Sequence, residues 1–130
     1  FIIVFIVLYM ESKYSISSQE EIHSILNYLE RWNKFFSIET HYFIDGWSIS
    51  LSELTLYPRH IIIVKNFNQN YYEIKSFEVS ISESFEEEYN ELFSVDKINN
   101  KEDLIKEIRE IIYGKDLFKD IKKSLKKIRF

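Results

Sequence analysis

Residues 38–52, IETHYFIDGWSISLS, change character at every step. Ile38, Thr40, Tyr42 and Ile44 alternate with Glu39, His41 and Phe43. Beyond Asp45-Gly46, Trp47, Ile49 and Leu51 alternate with Ser48, Ser50 and Ser52. Successive side chains leave a strand on opposite sides, so a period of two describes two strands with one buried face each. The Asp-Gly pair between them predicts a two-residue hairpin loop, because both residues tolerate positive φ. A lone hairpin is marginal in water. Whatever else this chain does, it must extend this sheet and cover its apolar face.

The flanking segments supply both. Upstream, Ser17 and Ser18 followed by Glu20 and Glu21 repeat the Ser-x-x-Glu spacing of a capping box. Ile22, Ile25, Leu26, Leu29, Trp32 and Phe36 then fall on one helical stripe, which predicts a helix from near 18 to 36. Downstream, Leu54 and Leu56 are placed to extend the second strand until Pro58 breaks the run. HIIIV at 60–64 reads as a strand covered on both faces, NFNQN at 66–70 as a turn, and Tyr72 and Ile74 as the start of a fourth strand. Apolar parity has switched by Phe77, Val79 and Ile81, which predicts a bulge near Lys75-Ser76.

Three helical segments are expected to close the chain. Ser84 with Glu87 has capping-box spacing, and Phe85, Tyr89, Leu92 and Phe93 form a short apolar stripe. Asn100 is placed to cap a helix with Leu104, Ile105, Ile108, Ile111 and Ile112 inward and Gly114 at its stop. Leu117, Ile121, Leu125 and Ile128 mark a last, lysine-rich helix over 115–130. The expected architecture is α+β: an N-terminal helix, an antiparallel sheet of about four strands, and C-terminal helices packed mainly on one face.

A chain of 130 residues fits one domain, expected over 10–130. The opening FIIVFIVLYM contains the sequence's one Met, at position 10, and is half the roughly 20 residues a membrane span needs. The expected reading takes Met10 as the start and 1–9 as upstream sequence. A truncated anchor or signal and a buried strand are the alternatives. Two Gly and one Pro leave little material for a Gly-rich phosphate loop, and the lack of Cys removes disulfides and thiolate chemistry.

No catalytic or metal-binding constellation stands out. His23, His41 and His60 lack the i, i+4 spacing of a zinc helix, and a site would need folding to gather His41, Asp45 and His60 on one rim. Ser48, Ser50 and Ser52 suit a solvated sheet face, since a nucleophile wants a sharp turn and a nearby base. Trp47 reads as a core anchor. The expectation is a non-enzymatic protein without cofactor or metal.

Charge is the stronger signal. The net charge is −4, yet residues 83–96 carry six carboxylates and no base, while 115–130 carry seven bases against two acids. For Glu83, Glu86, Glu87, Glu88 and Glu91 the bland reading is a solvated face. The functional reading is a docking surface for a basic protein. Exposed ion pairs are individually weak, so tight binding would also need apolar anchors, for which Tyr89 and Phe93 are the candidates. The lysine-rich tail alternates with an apolar stripe, so no nucleic-acid binding is expected. A membrane-tethered adaptor using the apolar N-terminus and that tail is the alternative, and a small hydrolase using His41 or His60 a weaker one.

ILNYLERW at 25–32, SIET at 37–40 and DGWSISLSEL at 45–54 resemble a bacterial immunity-protein family of polymorphic toxin systems, immunity protein 53. That family similarly has a helix with a Leu-x-x-Trp element, an Ile-Glu-Thr strand, and a Gly-Trp-Ser turn into an alternating strand. A Leu/Ile-rich helix, here 104–112, agrees in order. The chain departs from the family in carrying the short NKFF at 33–36 where the family has a linker containing Cys-Asp-Gly. The resemblance implies a cytoplasmic, non-enzymatic protein that binds a cognate protein toxin, with a nuclease as the expected target, and blocks it. It supplies no site residues of its own.

Overall fold

Each strand of the sheet turns back beside the one before it. The computed structural model describes residues 15–55 and 58–114. Helix α1 (Ile16–Leu29) and a 3-10 turn (Glu30–Trp32) lead into β1 (Phe36–Phe43), β2 (Gly46–Glu53), β3 (Arg59–Asn66), β4 (Tyr71–Ile81) and β5 (Glu87–Ile98), followed by α2 (Lys101–Ile112). The strands lie in the order β1-β2-β3-β4-β5, every neighbour antiparallel. The expected lysine-rich helix over 115–130, the segment 1–9 and Leu56 lie outside the described residues.

Register explains the core. Tyr42, Trp47, Lys65 and Tyr72 form one cross-strand row, and Thr40, Ile49, Ile63 and Ile74 the next. Trp47, Ile49, Ile63 and Ile74 are fully buried, and they cluster with Ile22, Ile25 and Leu29 of α1 and Leu104, Ile108 and Ile111 of α2. Both helices therefore pack on one face, the face of β2 that carries Trp47. Three polar side chains tie the layers together. Lys65 Nζ from β3 donates to Glu21 of α1 at 2.7 Å, and Lys101 Nζ of α2 donates to Ser24 of α1 at 2.9 Å. Arg59 is buried and donates to the carbonyls of Ile111 and Ile112, a cation set against the negative C-terminal end of α2.

The structure corrects several sequence expectations. The described residues form five strands, because 84–93 is a turn and the first half of β5 in place of a helix. A stripe ten residues long makes a marginal helix on its own, whereas β4 runs 11 residues and leaves an open edge that β5 satisfies. The N-cap of α1 is Ser15, whose hydroxyl accepts from the Ser18 amide, and the helix ends at Leu29, with Phe36 opening β1. The first hairpin turns on Ile44-Asp45, and Gly46 pairs with Phe43 as the first residue of β2. Ile44, in the turn, is 96% exposed. Gly46 is required for space: a β-carbon there would run into the backbone carbonyl of Lys65 on β3. The 60–64 strand is covered fully on one face only, since Ile61 and Ile63 are buried while His60, Ile62 and Val64 are half-buried.

The bulge falls one step beyond its expected place, and its extra residue belongs to β5. Ser76 pairs with Phe93 and Phe77 with Glu91, leaving Leu92 over, while β4 keeps an unbroken register with β3. A second irregularity lies between Tyr72 and Ile74, where β5 has one residue more and Lys97 takes φ 56°. Asn100 caps α2 by accepting from the Asp103 amide, and Gly114 follows its end at φ 96°.

Candidate functional site

The β4–β5 hairpin carries the acidic residues. Its tip closes with the Ser82 amide donating to the Glu86 carbonyl at 2.8 Å and the Phe85 amide to the Ser82 carbonyl at 2.9 Å. The Glu86 amide reaches the Ser82 hydroxyl at 3.2 Å. In such a three-residue loop the last position is left-handed, a place that favours glycine. Here it is Phe85, at φ 62° and 90% exposed. A large apolar side chain thus occupies a backbone conformation costing an L-residue roughly 1–2 kcal/mol, and it gains no burial within the described residues.

Around it the hairpin is graded. Ile81 is exposed opposite Glu87, Val79 lies opposite Tyr89, and Phe77 lies opposite Glu91, all on the sheet face away from the helices. Tyr89 is 55% exposed, and its ring meets that of His60 edge to face at 5.7 Å, above the intervening β4. Val79, paired with Tyr89, is buried on a face that no described helix covers. His60 is steadied in turn by Ser52, Oγ to Nδ1 at 3.0 Å. On the far side the Tyr89 hydroxyl donates to Glu87 at 2.9 Å. That bond, and the charge of Glu87 beside it, hold the Tyr89 phenol above its ordinary pKa. Lys75 lies 3.1 Å from Glu73 and 4.0 Å from Glu91, and the hydrogen bond to Glu73 raises its pKa.

Of the residues singled out in the sequence, Glu83, Glu86, Glu87, Glu88, Tyr89 and Glu91 all lie exposed on the tip or on the first half of β5. Phe93 does not join them. It faces the helices beyond the bulge, is 8% exposed, and belongs to the core. The exposed apolar groups among the acids are instead Ile81, Phe85 and Tyr89. Sequence reasoning placed Phe85 on a buried helical stripe. Its position next to the Ser-rich turn was the available sign, but its backbone conformation leaves no sequence trace.

The candidate catalytic groups stay apart. His41 faces Ser48 and His60 faces Ser52, two strands and four residues from each other, so roughly 16 Å separates them. Asp45 lies in the turn beyond His41, farther again from His60. Glu39 is 3.7 Å from His41 on the exposed edge strand. Among the described residues no group of three His, Cys, Asp or Glu side chains could hold a metal ion, and no helix is long and apolar enough to cross a membrane. Two open hollows of about 450 and 460 Å³ lie at the β3–β4 turn end and beside Trp32, Arg59 and Tyr113, neither lined by a histidine.

Comparison with models of protein families, with curated proteins and with solved structures finds no match to this chain.

Proposed function

We propose that this protein is an immunity-type inhibitor that acts in the bacterial cytoplasm by capping a basic protein toxin, a nuclease being the expected class, with its β4–β5 hairpin. The observation that carries the reading is Phe85. An exposed aromatic side chain held in a left-handed backbone conformation is unfavourable twice over for the isolated molecule, and such strain is commonest where a surface is used. Seated in a partner's pocket, Phe85 would gain the burial it lacks. Ile81 and Tyr89 would widen the anchor, and Glu83, Glu86, Glu87, Glu88 and Glu91 would surround it. Such a rim speeds encounter and selects a basic partner, while a few buried aromatic groups supply most of the affinity. The Ser52–His60–Tyr89–Glu87 chain of contacts holds one anchor in place before binding, which lowers the ordering cost of association. The work described is masking, for which no reacting group is required.

The test is binding to the toxin encoded beside this gene. Replacing Glu86, Glu87, Glu88 and Glu91 with Lys should weaken binding about a hundredfold or more, since like charges then face each other across the interface. Unchanged affinity in that variant would remove the hairpin from the interface.

A further inference from the structure

The free edge of β5 offers a second kind of contact, made by backbone. In an antiparallel ladder the residues of one strand alternate between those bonded to the neighbour and those whose N–H and C=O point away from it. Two hydrogen bonds set the phase here. The Ser82 amide donates to Glu86, so Ser82 and Glu86 are a bonded pair. The Val79 amide donates to the Pro58 carbonyl at 3.3 Å, so Val79 is bonded toward β3 and away from β5. The bonded β4–β5 pairs are then Ser80 with Glu88 and Glu78 with Asn90. At Glu87, Tyr89 and Glu91 both backbone groups point out of the sheet. The same three residues put their side chains on the face away from the helices, and β5 has no strand beyond it among the described residues.

We infer that residues 87–91 pair as an edge strand with an extended basic segment of the partner protein, one that sets Lys or Arg opposite Glu87 and Glu91 and an apolar residue opposite Tyr89. The inference rests on the proposed docking role and specifies the shape of what docks. Complementary charge selects this occupant. Opposite charges directly across a ladder stabilise it, and like charges destabilise it. A second copy of this edge would set Glu87, Glu88 and Glu91 among their own carboxylates, so the acids that invite a basic strand also exclude self-pairing. The pairing has a set length. It starts at the Ser82–Glu86 closure and stops at the Leu92 bulge, beyond which the alternation is broken. Five residues suit an extended peptide, whose main chain supplies affinity while alternate side chains supply selectivity.

The probe is a synthetic peptide, acetyl-Thr-Lys-Thr-Val-Thr-Arg-Thr-amide, added to the full chain, with a control carrying Glu in place of Lys and Arg. The peptide should slow hydrogen exchange of the Glu87, Tyr89 and Glu91 amides at least tenfold and leave the Glu88 and Asn90 amides unchanged, while the control should do neither. Glu91→Pro removes one outward N–H without removing a bond to β4, and Glu91→Gln removes only the charge. Binding at least tenfold weaker in E91P than in E91Q is expected. The same comparison between Glu87→Pro and Glu87→Gln decides the matter if E91P does not fold. Equal binding by the Pro and Gln variants, or no amide protection at millimolar peptide, overturns strand pairing. The docking role is judged separately by charge reversal against the whole toxin. Loss there together with equal binding of the toxin by E91P and E91Q would leave the acidic hairpin in place and remove only its edge.

Discussion

The two outer hairpins of this sheet are built for opposite ends. At the β1–β2 hairpin the strands are eight residues each, their register is unbroken, and Trp47 is fully buried two residues beyond the turn. Its glycine is there because β3 comes too close for any side chain. At the β4–β5 hairpin the register slips twice, the tip residues are exposed, and the position that would suit a glycine holds Phe85. One hairpin gives up surface to make a core. The other gives up backbone comfort to present a surface. What sets the second hairpin apart is the combination. Ile44 is exposed in the first turn without a left-handed backbone, and Asn70 and Lys97 are left-handed but polar. Phe85 alone among the described residues is a large apolar side chain that is both exposed and left-handed.

The largest effect should come from making the first hairpin behave like the second. Gly46→Ala places a β-carbon against the Lys65 carbonyl, and neither strand can yield without disturbing the Trp47 and Tyr72 row. Because the obstacle is backbone, the cost should lie at the upper end of overpacking, about 3 kcal/mol. A fall in the urea midpoint with unchanged slope would show it. A midpoint equal to that of the parent would mean that the close approach of β2 and β3 is not what holds this hairpin.

The reverse substitution at the second hairpin is smaller and opposite in sign. Phe85→Gly relieves the left-handed conformation, worth roughly 1–2 kcal/mol, and gives part of it back as unfolded-chain entropy of about 0.5–1 kcal/mol. A net gain of up to ~1 kcal/mol is expected. The same variant should bind the toxin at least tenfold more weakly, because the anchor has gone. Stability rising while affinity falls is the signature of a residue kept for contact. If both fall together, Phe85 is structural and the contrast between the hairpins fails.

How much of this was readable beforehand follows from the same two regions. The alternation over 38–52 names β1 and β2 and the buried Trp47, because one face of that hairpin is apolar except at Thr40. It misplaces the turn by one residue, since Asp45-Gly46 has the composition of a loop while Gly46 is needed for clearance. Residues 84–93 carry no such face. Phe85, Tyr89, Leu92 and Phe93 satisfy a helical spacing, and the strand reading emerges only when Leu92 is allowed to bulge out of register. The parity switch in β4 points to an irregularity near Lys75-Ser76, but it does not say that the extra residue is Leu92 of β5. The acids were legible as a docking candidate, being a plain run of charge. Which aromatic groups stand among them was not, because the bulge sends Phe93 inward and the left-handed turn sends Phe85 out. Arg59, which ties β3 to the end of α2, was equally hidden, as the two α2 carbonyls it meets lie more than 50 residues away in the chain.

The smallest expected effect tests whether the second hairpin is held in shape or merely exposed. The Tyr89 hydroxyl donates to Glu87, and its pKa is raised by that bond first and by the Glu87 charge second. A group whose folded pKa is raised contributes stability that is complete below its unfolded pKa and is lost as pH climbs through the folded one. For a phenol the loss begins above about pH 10. Tyr89→Phe lacks the bond at every pH, so it should be slightly less stable than the parent through neutral pH, and the gap should close above about pH 10. Lys75, raised by Glu73, loses its contribution over the same alkaline range, but it does so in both proteins and cancels in the difference. The measurement is the difference in urea midpoint between parent and variant from pH 7 to pH 11. A gap that stays constant to pH 11 would mean that the Tyr89–Glu87 bond does not order β5 in solution, and the tip would then meet its partner without a preset anchor.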